Sequence, residues 1–328
     1  MIFLQRVQAT AMLAVMSMSG AVLAQGAADS FPSRPVAIIV PLAAGGPNDS
    51  EARLYAAKLN ALLGQQFSVE SRAGASGTIG ANYVAKSAPD GHTLLLTGGS
   101  FTTSAALYKD LPYDAIKDFA PVSLMSLKHF VLVVPASSPI RNVSEYLAYA
   151  RANPGKLNYA TTGVGSTPHL AGAWLHNLTN TKVTFVAYKG AAPQMADLMA
   201  GRVDVAPLNL QGAAPLIKNG KLRGLGAMGD TRSSVLPGLA TIAEQGVPGY
   251  SNVSYIGFSA AGATPVAIVN KLHEALVKVI RMPDIIAALE AQGSVPVGST
   301  PTEFRQMITS ETLRWRKVVQ ESAIVLVD

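Results

Sequence analysis

Three short stretches set glycines directly after an apolar run, two of them beside hydroxyl side chains, and the chemistry they offer is capture of a small anion. They are Pro41-Leu42-Ala43-Ala44-Gly45-Gly46-Pro47-Asn48-Asp49, Thr161-Thr162-Gly163-Val164-Gly165-Ser166-Thr167-Pro168-His169 and Thr97-Gly98-Gly99-Ser100-Phe101-Thr102. Glycine lets the backbone approach a ligand closely. A helix starting there presents unpaired N–H groups and a partial positive charge, enough to hold a carboxylate without a basic side chain. Each stretch has a plainer reading too. The first is equally an ordinary turn with Asp49 or Ser50 capping the next helix. Ser166 and Thr167 either donate to an anion or only cap. His169 is either a ligand contact or structural, and Phe101 either an aromatic wall or core.

Signatures of catalysis fail one by one. Gly74-Ala75-Ser76-Gly77-Thr78-Ile79-Gly80 lacks both the GxGxxG spacing and the GK[ST] ending of phosphate loops. No G-x-S-x-G elbow and no H-E-x-x-H helix occurs. The histidines (92, 129, 169, 176, 273) are dispersed, and His169 and His176 have no nearby acid to complete a metal set. The expectation is a binding protein with no metal and no cofactor. An exported hydrolase assembled from Ser166, His169 and a distant acid is the competing reading, and a ligand sensor for a membrane signalling partner is a third.

The elements that must position these loops alternate between short apolar strands and helices, the pattern of an α/β fold. Val36–Val40 is apolar on both faces and predicts a central strand in a parallel sheet. A helix over 50–63 follows and stops at Gly64. Further strands are predicted at 67–70, 93–97, 130–134, 157–161, 183–187, 203–206 and 223–228, with helices at 80–87, 143–152, 168–178 and 191–200. Near the C-terminus, Thr264-Pro265 opens a helix with an apolar stripe from Ile268 to Ile280, and Thr300-Pro301-Thr302-Glu303 reads as a capping box. No flexible linker separates the cycles. The expected organisation is therefore two lobes, each a mostly parallel sheet flanked by helices, with a ligand cleft between them. Lobe one takes 25–124 and 253–328, lobe two takes 125–252, and the chain crosses near 122–128 and 250–258.

Composition narrows the class. Hydrophobic residues are 49% and charged residues 14%, which describes a globular body rather than a disordered chain. Cysteine is absent, so bridges, thiolate metal sites and cysteine nucleophiles are excluded. The net charge of +6 is scattered without a basic run, which argues against nucleic-acid binding. Residues 1–24 read as a cleaved secretory signal: Arg6, an uncharged run from Ala9 to Leu23, then Val22-Leu23-Ala24 as the cleavage site. The expected product is a soluble periplasmic monomer.

At this point the residues resemble a known family. Phe31-Pro32-Ser33-Arg34-Pro35, the P-x-A-x-G-G-x-x-D loop at 41–49, Ala88-Pro89-Asp90-Gly91-His92, Asn153-Pro154-Gly155-Lys156-Leu157, Ser166-Thr167-Pro168-His169, Tyr188-Lys189-Gly190 and Gly246-Val247-Pro248-Gly249-Tyr250 stand in the order found in the Bug (TctC-like) solute receptors of tripartite tricarboxylate transporters. The resemblance spans nearly all of the chain beyond the leader. It implies a type II periplasmic binding fold that closes on a small carboxylate and delivers it to a permease with a large and a small membrane subunit. It also implies that loops 41–49 and 163–169 grip the carboxylate through backbone N–H groups and bridging water. The candidate ligand-binding set is then Leu42, Ala43, Ala44, Gly45, Gly46 and Asp49, with Ser100, Thr102, Gly165, Ser166, Thr167, His169, Tyr188 and Asn209. Two departures matter. Leu42 replaces the family's usual Phe, removing an aromatic wall, and Leu208 in Pro207-Leu208-Asn209 stands where an Asp could pair with an amino group. The expected ligand is therefore a mono- or dicarboxylate without an ammonium.

Overall fold

The computed structural model describes residues 30–322 and residue 324. The proposed signal segment lies outside them.

The first sheet grows from β1 (Val36–Val40), whose neighbours β2 (Phe67–Ser71) and β3 (Thr93–Gly98) run parallel to it. Helix α1 (Pro47–Leu63) makes the first crossover and ends at Gly64, whose positive φ of 68° lets its N–H close on the Asn60 carbonyl. Helix α2 (Thr78–Ala85) makes the second crossover, and α3 (Gly99–Leu107) leaves the end of β3. The sheet order is β2-β1-β3-β9-β4-β10, with β4 spanning Phe119–Pro135, β9 Val253–Ala261 and β10 Ser294–Pro296. The expectation of mostly parallel sheets holds for the βαβ part. The strands that carry the chain between lobes pair antiparallel instead.

Strand β4 is the structural surprise. Residues 122–128, expected as a connection, are part of one continuous strand. Its first half pairs with β9, and from Phe130 onward it pairs with β7 (Ala206–Asn209) and β8 (Leu222–Ala227) in the second sheet. Pro121 suggests an interruption, but the strand is buried almost throughout and runs past it, and register shifts near Pro121 and Leu124 accommodate the local irregularity. We propose that the lobes exchange at Lys128–Phe130 and again at 250–253. A buried ion pair marks the first exchange point. Glu51 of α1 meets Lys128 Nζ at 2.6 Å and accepts from the hydroxyls of Tyr55 (2.7 Å) and Ser126 (2.5 Å). That contact fixes α1, and the loop feeding it, to the crossing strand.

The second lobe adds α4 (Val143–Ala152), β5 (Asn158–Thr161), α5 (Thr167–Leu178), β6 (Thr184–Ala187), α6 (Ala191–Met199) and α7 (Leu210–Lys218). Strands β5 and β6 pair in parallel. Helices α8 (Val266–Ile280) and α9 (Pro283–Ala291) return to the first lobe, where the stripe Ile268, Val269, Leu272, Leu276 and Val279 is buried. The capping box at Thr300 and Glu303 forms as predicted and opens α10 (Pro301–Glu321). That helix was expected in lobe one, yet it serves both cores. Phe304 and Ile308 join the first, whereas Trp315, Val318 and Val319 join the second. Arg314 clamps it there, stacking over Trp174 and Trp315 and donating to the Ser251 carbonyl at 2.6 Å.

Candidate functional site

Between the lobes lies a cavity of about 440 Å³ bounded by five helix N-termini. Pro47 and Asn48 open α1, Gly99 and Ser100 open α3, and Ser166, Thr167 and Pro168 open α5. Gly190 and Ala191 open α6, and Asn209 opens α7. The N-caps of α1, α3 and α6 are Gly46, Gly98 and Gly190, none with a side chain to cap the first turn. Their first-turn N–H groups are therefore left for something else to accept. Among the described residues, no ionisable side chain lines the cavity. The positive field comes from backbone dipoles, the arrangement that suits an anion taken out of water.

The structure sorts the candidate residues into two sets. Leu42, Ser100, Gly165, Ser166, Thr167 and Asn209 stand in the wall. The others do not line it, and most serve the loops that do. Ala43, Ala44 and Gly45 are exposed on the first loop, and Gly46 is the N-cap of α1. Asp49 is buried and bends back: its carboxylate accepts from the Gly45 N–H (3.1 Å) and from Arg53 (3.0 Å). Those bonds, the Arg53 one foremost, hold its carboxyl below the usual range. Asp49 therefore shapes the loop and occupies an N–H otherwise open to a ligand. Thr102 is fully buried and donates to the Gly99 carbonyl within α3. The stretch 97–102 is thus mostly helix rather than loop, and Phe101 is core, packed on Tyr113 and Phe119.

His169 and Tyr188 are also one step removed. His169 Nδ1 accepts from the Gly165 N–H at 3.1 Å, which puts its proton on Nε2, and its ring stands edge-on to Phe185. Burial lowers its pKa, so the ring stays neutral and braces the Gly165 turn. Tyr188 turns its hydroxyl to Asp197 at 2.8 Å. Ser166 donates to the Gly163 carbonyl (2.8 Å) and caps α5 by accepting from the His169 N–H (3.4 Å). It is thus bound to its own turn, and neither it nor His169 is arranged as a nucleophile–base pair. Thr167, one residue on, keeps its hydroxyl for the cavity.

Several wall residues escaped the sequence reading. Ser76 comes from the Gly74–Gly80 loop, dismissed for lacking phosphate-loop spacing. Both Ala75 and Ser76 take left-handed backbone angles there (φ 44° and 55°), a cost that non-glycine residues rarely bear away from functional sites. Phe130 enters from β4 and supplies the aromatic surface expected to be lost at Leu42. Gln194, Ser254 and Thr162 add to the polar lining. The signal that could have found Ser76 is its pair of flanking glycines; Phe130 carried none, being one apolar residue in an apolar strand.

The family model for the tripartite tricarboxylate transporter family receptor, TctC, matches residues 51–324. The chain belongs to this receptor family. Protein BugT of Bordetella pertussis is 32% identical over 318 residues, covering 96% of this chain and 98% of that protein. Among solved structures, R. palustris Rpa4515 with adipate superposes with a TM-score of 0.81 at 35% identity, over 90% of this chain and all of that one. MatC from Rhodopseudomonas palustris with bound malate gives 0.78 at 33%, over 88% of this chain and all of that one. The TctC receptors are solute-binding proteins rather than enzymes, and the two-lobed fold described above is theirs. No helix among the described residues is long and apolar enough to cross a membrane.

Proposed function

We propose that this TctC receptor captures a small organic carboxylate in the periplasm and hands it to a tripartite tricarboxylate-type permease with a large and a small membrane subunit. The observation that carries this reading is the convergence of five helix N-termini, three capped only by glycine, on a cavity without an ionised side chain. Such a wall stabilises negative charge and offers no anion to balance a cation. Relatives solved with adipate and malate support the same ligand class. The site residues we assign are Leu42, Ser100, Gly165, Thr167 and Asn209 from the sequence reading, joined by Asn48, Ser76, Gly99, Phe130, Gln194 and Ser254.

A ligand without an ammonium fits best. Leu208 is in the wall where a carboxylate could have paired with one, and a buried unpaired charge is costly. The leader read in residues 1–24 and the receptor family support a periplasmic location. A melting-temperature screen of the processed protein over mono-, di- and tricarboxylates tests the reading. A rise with at least one carboxylate and none with matched amines is expected. Stabilisation by amines or neutral sugars alone would refute it.

A further inference from the structure

One group in the cavity wall does not fit simple anion capture. Gln194 lies one turn into α6, on the face that also presents Gly190 and Ala191 to the cavity, and its side chain is fully buried. Its amide nitrogen donates to two carbonyls, Ala160 at 3.0 Å and Pro207 at 3.4 Å. Those two acceptors fix which end of the carboxamide is nitrogen, since the oxygen in that place would face two carbonyls. The oxygen, Oε1, is buried and has no hydrogen-bond partner among the described residues. Buried acceptors are almost always paired. The rest of the wall is rich in donors, helix N–H groups and hydroxyls that can turn to donate, so this buried unpaired acceptor asks for a donor on the ligand.

A carboxylate at neutral pH has no proton to give, and an ammonium would enter a wall with no anion to balance it. A neutral hydroxyl satisfies Oε1 without that cost. Resting on the proposed function above, we infer that Gln194 is a specificity-determining residue that reads a hydroxyl beside the captured carboxylate, so the preferred solute is a hydroxy-carboxylate.

The isosteric series succinate, malate and aspartate carries hydrogen, hydroxyl and ammonium on the same carbon, and calorimetry on the full processed protein compares them. Malate is expected to bind about tenfold tighter than succinate, the worth of one hydrogen bond that also relieves a buried unpaired acceptor, with aspartate no better than succinate. The substitution Gln194→Met keeps the length and removes the acceptor. Provided the variant melts cooperatively, its malate-to-succinate ratio should fall to about one. The wild-type series stands alone if that variant does not fold. Succinate binding as tightly as malate, or a ratio unchanged in Gln194→Met, overturns the inference while leaving carboxylate capture intact. No binding by any member of the series or of the wider carboxylate screen overturns both.

Discussion

Substituting Gly99 with alanine separates folding from binding. Gly99 is the first residue of α3, and a Cβ added to it would come within 2.7 Å of Ser254 Oγ and 2.9 Å of Thr167 Oγ1. Both distances are too short for a carbon–oxygen contact, so the two hydroxyls must turn away from the cavity they line. The fold itself has little reason to suffer. Gly99 does not need a positive φ, both neighbours are the free ends of rotatable side chains, and alanine is the better helix former by up to about 1 kcal/mol. For the ligand, each displaced hydroxyl is a lost hydrogen bond to a charged oxygen, about 1.5–3 kcal/mol if wholly lost. Allowing for partial rearrangement, Kd should rise about 10- to 100-fold. At a ligand concentration of 100 Kd for the wild type, bound ligand adds about 2.7 kcal/mol to stability; a 30-fold weaker variant keeps about 0.9 kcal/mol. Differential scanning fluorimetry with and without ligand reads both quantities together. The ligand-free variant should melt within about 4 °C of wild type, and the ligand-induced shift should fall to roughly a third. Gly238→Ala, at a position with nothing within 4 Å of the added carbon, is the control and should change neither. Wild-type affinity in Gly99→Ala would refute the placement of the ligand at these helix starts. A collapse of the ligand-free melting temperature would refute the packing argument.

Three further outcomes follow from the same geometry. Ser76→Gly removes a left-handed non-glycine residue and a wall hydroxyl at once, so the apo protein should gain about 1 kcal/mol in chemical denaturation while ligand affinity falls. Ser166→Ala should cost about 1 kcal/mol of stability through the lost cap, whereas Thr167→Val should leave stability within about 0.5 kcal/mol and weaken binding in calorimetry. His176 is buried between the Tyr146 and Thr181 hydroxyls, and burial pulls its pKa down to about 4. Because the folded value lies below the unfolded one of about 6.5, its contribution is complete above pH 6.5 and drains away as pH falls toward 4, about 3 kcal/mol in all. Denaturation at a series of pH values should show that slope in the wild type and lose it in His176→Gln.

How much of this was legible in the residues depends on where the information resides. The βαβ core was readable because Val36–Val40 is apolar on both faces and Gly64 stops α1 in a left-handed turn. The capping box at Thr300 was readable because the Thr300 and Glu303 side chains accept from each other's backbone N–H groups, an arrangement set within four consecutive residues. The crossing strand was not: Pro121 suggested an interruption, and nothing within 119–135 tells that its partners change from β9 to β7 and β8 halfway along. At the site, the glycine turns pointed to loops that reach the cavity, but the roles within them depend on partners fixed by local folding. Asp49 has the type and place of a ligand contact, and only the distance to Gly45 N reveals that it holds its own loop. For His169 both roles stood open in the sequence, and the bond from the Gly165 N–H is what favours the structural one.

The deeper reason lies in the kind of recognition the cavity uses. A wall that attracts charge through helix N–H groups has no side chain whose identity reports the ligand, and almost any sequence that makes the same turns would offer the same field. Attraction of an anion by such a wall is therefore a property of its helix starts rather than of particular side chains. Selectivity among carboxylates must then come from the few side chains that differ from a generic donor: Leu208 by what it withholds, Phe130 by its flat apolar face, and Gln194 by its unpaired oxygen. Polar groups that must be satisfied discriminate more sharply than apolar ones, because the wrong ligand leaves a buried atom unpaired and the penalty falls wholly on that ligand. Of the three, Gln194 is the residue at which one substitution should alter which carboxylate binds while leaving in place the dipoles that hold it.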